Sequence, residues 1–411
     1  MNRMPTLLAP AGSMRPFMTA LRFGADAVYC GAKQYGLRAQ AGNFDERELA
    51  QAVEVAHAAG AQVNLTLNIF ARDGDLAGMV RTAQMAREIG VDALIVSDLG
   101  AIARIHREAP GIDIHVSTQA NTTNTDSVRV YKAMGATRVV LARELSMEEI
   151  ERMSAQLGDE IELETFIHGA ICMSYSGRCM LSSFLNGRSA NRGACSQPCR
   201  WTYTLHERTR PDEPMPVEED PRGTAILSSR DMCMIDHLPR LMESGVSCFK
   251  IEGRMKTEIY IATVVGAYRR AMDAYAADPQ GYMKDAALNS LLHDELDKVS
   301  HRIYDTGFYF GQPQVAGGAA GVIQKAEYMG YVLGVSGGEA LVEMKNRFFV
   351  GDELETVTPS GSRKLTIEDI VIDATGEHVG VVSVPKTLVR IPCGDLLEAG
   401  DMLRGPVRNR A

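Results

Sequence analysis

The chain has 411 residues, a formal net charge of -9, 45% hydrophobic residues and 23% charged ones, the composition of a globular protein large enough for one full-sized domain and a smaller second one. The acidic balance excludes wholesale non-specific nucleic-acid binding, whose affinity comes from phosphate neutralisation, but leaves room for a local basic patch. The opening MNRMPTLLAPAG has no apolar run of signal-peptide length, and no stretch of about 18 apolar residues follows, so a cytoplasmic protein without a membrane partner is expected.

From the N-terminus, short apolar runs alternate with amphipathic helical stretches, the rhythm of repeated βα units on a parallel sheet. Strands are expected at Thr6 to Ala9, Asp26 to Cys30, Gln62 to Ile69, Ala93 to Ser97, Asp113 to Ser117, Arg138 to Ala142, Ile161 to Phe166 and Cys248 to Glu252. Helices such as Asp45 to Ala59 and Ser146 to Gln156 lie between them, the second opened by Ser146 with Glu149 three residues on, a capping-box signature. Eight strands, with no GxGxxG after any of them, favour an α/β fold of TIM-like (β/α)8 type over a doubly wound open sheet. After Phe166 the rhythm breaks into a cysteine-rich insertion over 169–201, a strand at Trp201 to His206, and an excursion over 207–222 rich in proline and acid. Helices at Glu258 to Ala276 and around Ala286 to His301 close a first domain of residues 1–310, and the glycine-rich segment 311–321 reads as a linker. Residues 322–411 alternate short strands with turns such as Ser336-Gly337-Gly338, which predicts a small C-terminal β-barrel domain.

The insertion carries the chemistry. Cys172, Cys179, Cys195 and Cys199 lie in a stretch with no acidic residue that also holds Arg178, Arg188, Arg192 and Arg200, and Cys233 follows at the expected head of a helix. Fixed positive charge of this kind lowers a thiol pKa from about 8.5 and favours the thiolate. In a reducing compartment such a cluster points to metal binding or catalysis rather than to a disulfide framework. Structural zinc sites pair their cysteines closely, C-x2-C being typical, whereas here six, fifteen and three residues intervene. Irregularly spaced thiolates drawn from a loop and a separate helix are compatible with a 4Fe–4S cluster, with zinc and a non-metal role as the alternatives. Cys30, Cys248 and Cys393 read as small buried hydrophobes.

In a (β/α)8 barrel, chemistry sits at the carboxyl ends of the strands. Those ends bring Gly12, Ser13, Asn68, Ser97, Asp98, Ser117, Gln119, Arg143, Glu144, His168, Glu252 and Arg254 toward one mouth. Each alone reads as a helix cap or a loop salt bridge; their convergence makes Gln119, Arg143, Glu144, His168, Glu252 and Arg254 the catalytic candidates. The two arginines suit bidentate capture of a carboxylate or phosphate. His168 lies four residues before Cys172 and belongs beside any metal held there.

The run Glu164-Thr165-Phe166-Ile167-His168-Gly169-Ala170-Ile171-Cys172, followed by Gly177-Arg178-Cys179-Met180-Leu181-Ser182, matches without a gap a signature of the collagenase-like peptidase family U32. Leu8-Ala9-Pro10-Ala11-Gly12, Ser117-Thr118-Gln119-Ala120-Asn121, Leu141-Ala142-Arg143-Glu144-Leu145, Ser229-Arg230-Asp231-Met232-Cys233 and Lys250-Ile251-Glu252-Gly253-Arg254 extend the resemblance over essentially the whole chain. Despite its name, the family includes members similar to oxygen-independent hydroxylases. The resemblance therefore implies a 4Fe–4S cluster on Cys172, Cys179, Cys195 and Cys233, with Cys199 as an ambiguous fifth thiol. It also implies prephenate, a small dicarboxylate, as hydroxyl donor, and tRNA as partner, hydroxylated to 5-hydroxyuridine at the wobble uridine; it leaves room for a partner protein. Arg188, Arg192, Arg404, Arg408 and Arg410 are the arginines expected to meet tRNA phosphates. The rival readings are a U32-type peptidase using a cysteine with His168 as base, and a non-catalytic RNA-binding or assembly protein. No H-E-x-x-H helix or G-x-S-x-G elbow supports hydrolysis.

Overall fold

The computed structural model describes residues 4–37, 41–172, 174–201, 206–207, 210–214, 230–312 and 322–408. Eight apolar runs form the barrel strands: β1 (Thr6–Pro10), β2 (Ala27–Gly31), β3 (Gln62–Leu67), β4 (Ala93–Val96), β5 (Asp113–Val116), β6 (Arg138–Val140), β7 (Glu162–Ala170) and β8 (Cys248–Ile251). Each pairs in parallel with the next, β8 pairs with both β7 and β1, and the sheet closes on itself as expected of a TIM-like barrel. Successive side chains point to opposite faces. Leu7, Ala9, Val28 and Cys30 therefore face the helices, while Leu8, Tyr29, Ile95 and Cys248 fill the interior.

The helices form where the sequence signals them. Asp45 caps Glu46–Ala58 by accepting from the Glu48 amide at 2.9 Å, Glu48 returns a bond to the Asp45 amide at 3.0 Å, and Leu49, Ala52, Val53 and Ala56 form the buried stripe. Ser146 and Glu149 cap Met147–Leu157 in the same way. Among the described residues no helix is long and apolar enough to cross a membrane.

Three local expectations change. β7 runs past the barrel rim to Ala170, and its free edge takes up a short strand, Asp231–Cys233, in antiparallel register with Cys233 opposite His168. Cys233 is thus a strand residue, and the helix begins only at Leu238, with Pro239 in its first turn. The helix expected to reach His301 is Ala286–Asp297, because the His301 backbone instead exchanges two hydrogen bonds with Ile323, at 3.0 and 2.7 Å. Of the strand expected at Trp201 to His206 only His206–Glu207 is a described strand, paired with Arg210–Pro214. Residues 202–205, most of the excursion and 313–321 of the linker lie outside the described residues.

The C-terminal domain is antiparallel. Among the described residues its main sheet has seven strands, in the order Lys364–Thr366, Glu353–Val357, Met402–Pro406, Ala326–Ser336, Glu339–Met344, Leu388–Pro392 and Val371–Ile372, and Phe348–Phe349 pairs with Val381–Val382 apart from it. The two edge strands are joined by only the four residues 367–370, which span at most about 14 Å, so the sheet must roll up on itself in the manner of a barrel. Ile367 and Ile370 are fully buried in its core.

The domain seats on the barrel helices. Val357 and Met402 join the barrel's own core, and ion pairs cross the seam at Arg15–Glu343 (2.8 Å), Arg22–Asp401 (2.7 Å), Lys298–Glu355 (2.9 Å) and Arg404–Glu295 (2.5 Å). Arg404 is 1% exposed and also binds Glu355 at 2.8 Å, so it is a structural anchor rather than the RNA contact anticipated for it. Arg404→Met is expected to lower stability by about 2–3 kcal/mol in a denaturant titration, because it strips a charged hydrogen-bond partner from the buried Glu295 and the partly exposed Glu355. An unchanged midpoint would refute that role.

Candidate active site at the barrel mouth

The mouth is a hydrogen-bonded ring built from strand ends. Asn68, just past β3, donates to Ser117 (3.3 Å) and to Gln119 Oε1 (3.1 Å), and Ser117 donates to the same Gln119 oxygen. Ser97 closes the ring from β4 by donating to the Asn68 carbonyl at 3.1 Å. Gln119 is therefore fixed, and the cysteine segment leans on it: a Cβ on Gly177 would meet the Gln119 side chain at 2.9 Å.

Both arginines expected at the mouth are engaged by the barrel wall. Arg143 is buried, donates to the Ala170 carbonyl at 2.6 Å, pairs with Glu252 at 3.6 Å and stacks 3.7 Å over the Phe166 ring. Arg254 is buried too and donates to Thr66 (2.9 Å) and Asn43 (2.5 Å). Its guanidinium fills the space where Gly31 lacks a side chain, since a Cβ there would stand 2.1 Å from the Arg254 Nη2. Burial raises the Glu144 carboxyl above its ordinary value against the pull of Arg143. Gly169, at φ +106°, lets the end of β7 approach the chain just past β8: a Cβ there would meet the Glu252 carbonyl at 2.5 Å.

His168 is 1% exposed and walled by Tyr260, Tyr268 and Tyr304, with ring centroids 6.2, 5.6 and 5.3 Å away. Its Nδ1 lies 3.4 Å from the Tyr268 hydroxyl, its Nε2 is buried with no hydrogen-bond partner, and burial drives its pKa down to about 3, so the ring is neutral. Cys233 shares this pocket. Its thiol stands 3.9 Å from the same Tyr268 hydroxyl, and burial pushes it up to about 12.

The other thiols form a separate group. Cys199 is pushed up first by burial, which outweighs the pull of Arg200, and then by the neighbouring thiols of Cys172, Cys195 and Cys179. The lowering anticipated from nearby arginines fails at Cys199 and Cys233 because burial dominates there, and two of the segment's arginines are engaged elsewhere. Arg192 binds Asp75 at 2.7 and 3.1 Å, and Arg178 donates to Asn121 at 3.2 Å while lying over the Phe70 ring. Arg200 is coupled electrostatically to Cys199 and Cys172, and also to Arg302 and Asp231. Among the described residues no three His, Cys, Asp or Glu side chains converge closely enough for a single metal ion. Cys199, Cys172, Cys179 and Cys195 are an acid-free set of soft donors, the donor chemistry that iron–sulfur clusters and zinc both use.

The family model described as Peptidase family U32 matches residues 12–318, and that of the Peptidase family U32 C-terminal domain matches 324–404. The chain belongs to peptidase family U32. Similar proteins include tRNA hydroxylation protein P1 of Bacillus subtilis strain 168, 35% identical over 408 residues that cover 98% of this chain and 95% of the relative. The tRNA hydroxylation protein P of Escherichia coli strain K12 is 35% identical over 438 residues, covering 96% of this chain and 95% of that protein. A collagenase of Porphyromonas gingivalis strain ATCC BAA-308 / W83 is 34% identical over 316 residues, covering 74% of this chain and 73% of the collagenase.

Within this U32 chain the cysteine segment and the barrel mouth are one region, joined by contacts that spacing along the chain does not reveal. Asn121 Nδ2 donates to the Ser176 carbonyl at 3.4 Å, and Asn121, Thr123, Ser174, Tyr175 and Arg178 line a cleft of about 590 Å³. None of these was singled out from the sequence as a site residue; the signal was a tyrosine and an arginine interleaved with the cysteines. The buried Asp231–Arg302 pair, at 2.5 Å, was also missed. Of the arginines expected on RNA, Arg408 pairs with Asp352 at 2.6 Å, Arg410 lies outside the described residues, and Arg188 has no ion-pair partner among the described residues.

Proposed function

We propose that this protein is an oxygen-independent RNA hydroxylase that forms 5-hydroxyuridine at the wobble uridine of tRNA, using a 4Fe–4S cluster and prephenate as hydroxyl donor. The observation that carries the reading is a group of four thiols beside the barrel mouth, in a chain that aligns through both domains with proteins named for tRNA hydroxylation. Cys172, Cys179 and Cys195 would hold the cluster in either ligand set; Cys199 completes the set by proximity and Cys233 by resemblance. The cluster, when bound, supplies one-electron chemistry that amino-acid side chains lack. Arg143 and Arg254 are suited to the two carboxylates of the donor. Glu144, raised by burial, is the mouth carboxyl best poised to exchange a proton. His168, neutral throughout the physiological range, orients its neighbours rather than titrating. A tRNA substrate also agrees with a cytoplasmic setting.

The test uses anaerobically purified, iron-loaded protein with a tRNA transcript and prephenate, followed by nucleoside mass spectrometry. Arg143→Glu and Arg254→Glu are each expected to abolish modification while leaving the cluster absorbance unchanged. Full activity in both variants would remove the arginines from the donor site.

The collagenase relative keeps a peptidase reading in view. The geometry serves it poorly. The thiol across the strand from His168 is Cys233, which burial keeps protonated, and the neutral His168 is too weak a base to change that. Hydrolysis of denatured collagen by the same preparation, without tRNA modification, would reverse the preference.

A further inference from the structure

We infer that the cleft lined by Asn121, Thr123, Ser174, Tyr175 and Arg178 is the nucleotide pocket, which receives one unpaired pyrimidine of an RNA loop against the cysteine segment. The inference rests on the tRNA reading and adds to it the residues that recognise the substrate. At about 590 Å³ the cleft is of ligand-pocket size. Tyr175, 46% exposed, offers a ring face on which a base can stack, and Phe184, 82% exposed on the helix Leu181–Asn186, offers a second face farther along the same segment.

The polar groups suit a pyrimidine edge. Asn121 Oδ1 accepts from Arg178 Nε, and its Nδ2 donates to the Ser176 carbonyl. The amide oxygen has a second lone pair and the amide nitrogen a second proton. That acceptor and donor complement the N3–H and a carbonyl of uracil, the kind of edge recognition used for bases taken out of a stack. Asn121 is held for the task at φ 56°, a left-handed conformation that asparagine tolerates. The hydroxyls of Thr123 and Ser174 add further donors and acceptors.

Charge selects a polymer over the small donor. Arg178 spends its Nε on Asn121 and, among the described residues, pairs with no carboxylate, which leaves its Nη atoms for a phosphate. A dicarboxylate needs two such cations, and the cleft lining contains one. Tyr175 and Arg178 stand between Cys172 and Cys179 in the chain, so the cleft is built from the same segment that carries the thiols.

Iron-loaded full-length protein and an unmodified tRNA transcript provide the test, with affinity read by fluorescence anisotropy across a salt series. Tyr175→Ala is expected to bind about tenfold more weakly with iron content unchanged, whereas Tyr175→Phe binds like wild type because only the ring face is used. Arg178→Gln should flatten the log–log salt slope by about 0.7 for a single-stranded contact. A transcript with 4-thiouridine at the wobble position should cross-link, in wild-type protein, to the peptide containing Tyr175. This last measurement holds even if Tyr175→Ala fails to fold. Cross-linking confined to other peptides, with wild-type binding and modification intact, would overturn the pocket and leave the tRNA reading standing. Wild-type protein that neither binds nor modifies the transcript would overturn both.

Discussion

Cys172→Ala, Cys179→Ala and Cys195→Ala are each expected to lose most of the bound iron and the brown colour of the anaerobically purified protein. Each of these thiols belongs to both candidate ligand sets, and an Fe–S cluster held by four thiolates does not survive the loss of one with its loading intact. Cys30 and Cys393 are buried in apolar surroundings, at 0% and 4% exposure, so their alanine variants should keep full iron and lose only some packing energy. The pair Cys199→Ala and Cys233→Ala identifies the fourth ligand. Full iron in the first and loss in the second assigns Cys233, which would then have to leave the Tyr268 hydroxyl; the reverse assigns Cys199, already among the other thiols. Iron and sulfide analysis reads all of these variants, and wild-type loading in Cys172→Ala, Cys179→Ala and Cys195→Ala would sink the cluster assignment. Zinc in place of iron in the wild type would do the same.

The barrel was legible because its signals are local. A run such as Ala93–Val96, apolar throughout, must bury both faces, and a segment such as Glu46–Ala58 carries its cap and its apolar stripe within its own residues. The ion pairs were not legible, since their partners come from far along the chain. Arg404 meets Glu295 and Glu355 from 109 and 49 positions away, and Arg192 meets Asp75 from 117. Read on its own, each looked like a solvent-facing cation available to phosphate. Cys233 misled for a related reason: its strand exists only because β7 overruns the barrel and offers an edge, a tertiary circumstance with no local pattern. The candidate site was half visible. Among the strand-end residues Asn68 meets Gln119 and Arg143 meets Glu252, but the Asn121–Tyr175 cleft forms only where the loop after β5 touches the cysteine segment.

Lys250→Met is expected to lower stability by about 3–5 kcal/mol at neutral pH, the cost of breaking a buried ion pair by removing one partner. Glu164 is fully buried inside the barrel, 2.7 Å from Lys250 and 3.4 Å from Arg138. Burial by itself would raise that carboxyl, but Lys250, then Arg138 and His115, outweigh it and hold the pKa at about 2. A folded-state pKa below the unfolded one, which is about 4.3 for glutamate, makes the carboxylate's contribution complete above the unfolded value. It is lost as pH falls toward the folded value, because the unfolded chain then takes up a proton that the folded chain refuses. Replacing both partners, as Glu164→Leu with Lys250→Met, removes the desolvation of both charges and should recover much of the single variant's loss. Arg138 keeps Glu162 at 2.6 Å in that double variant. The double variant should also show a shallower decline in stability than wild type between about pH 4.3 and 2. The single variant should also unfold on mild warming before wild type does. Urea midpoints measured over a pH series decide the matter: identical acid slopes for wild type and the double variant, or a Lys250→Met midpoint equal to wild type at neutral pH, would show that the buried pair does not hold the barrel together.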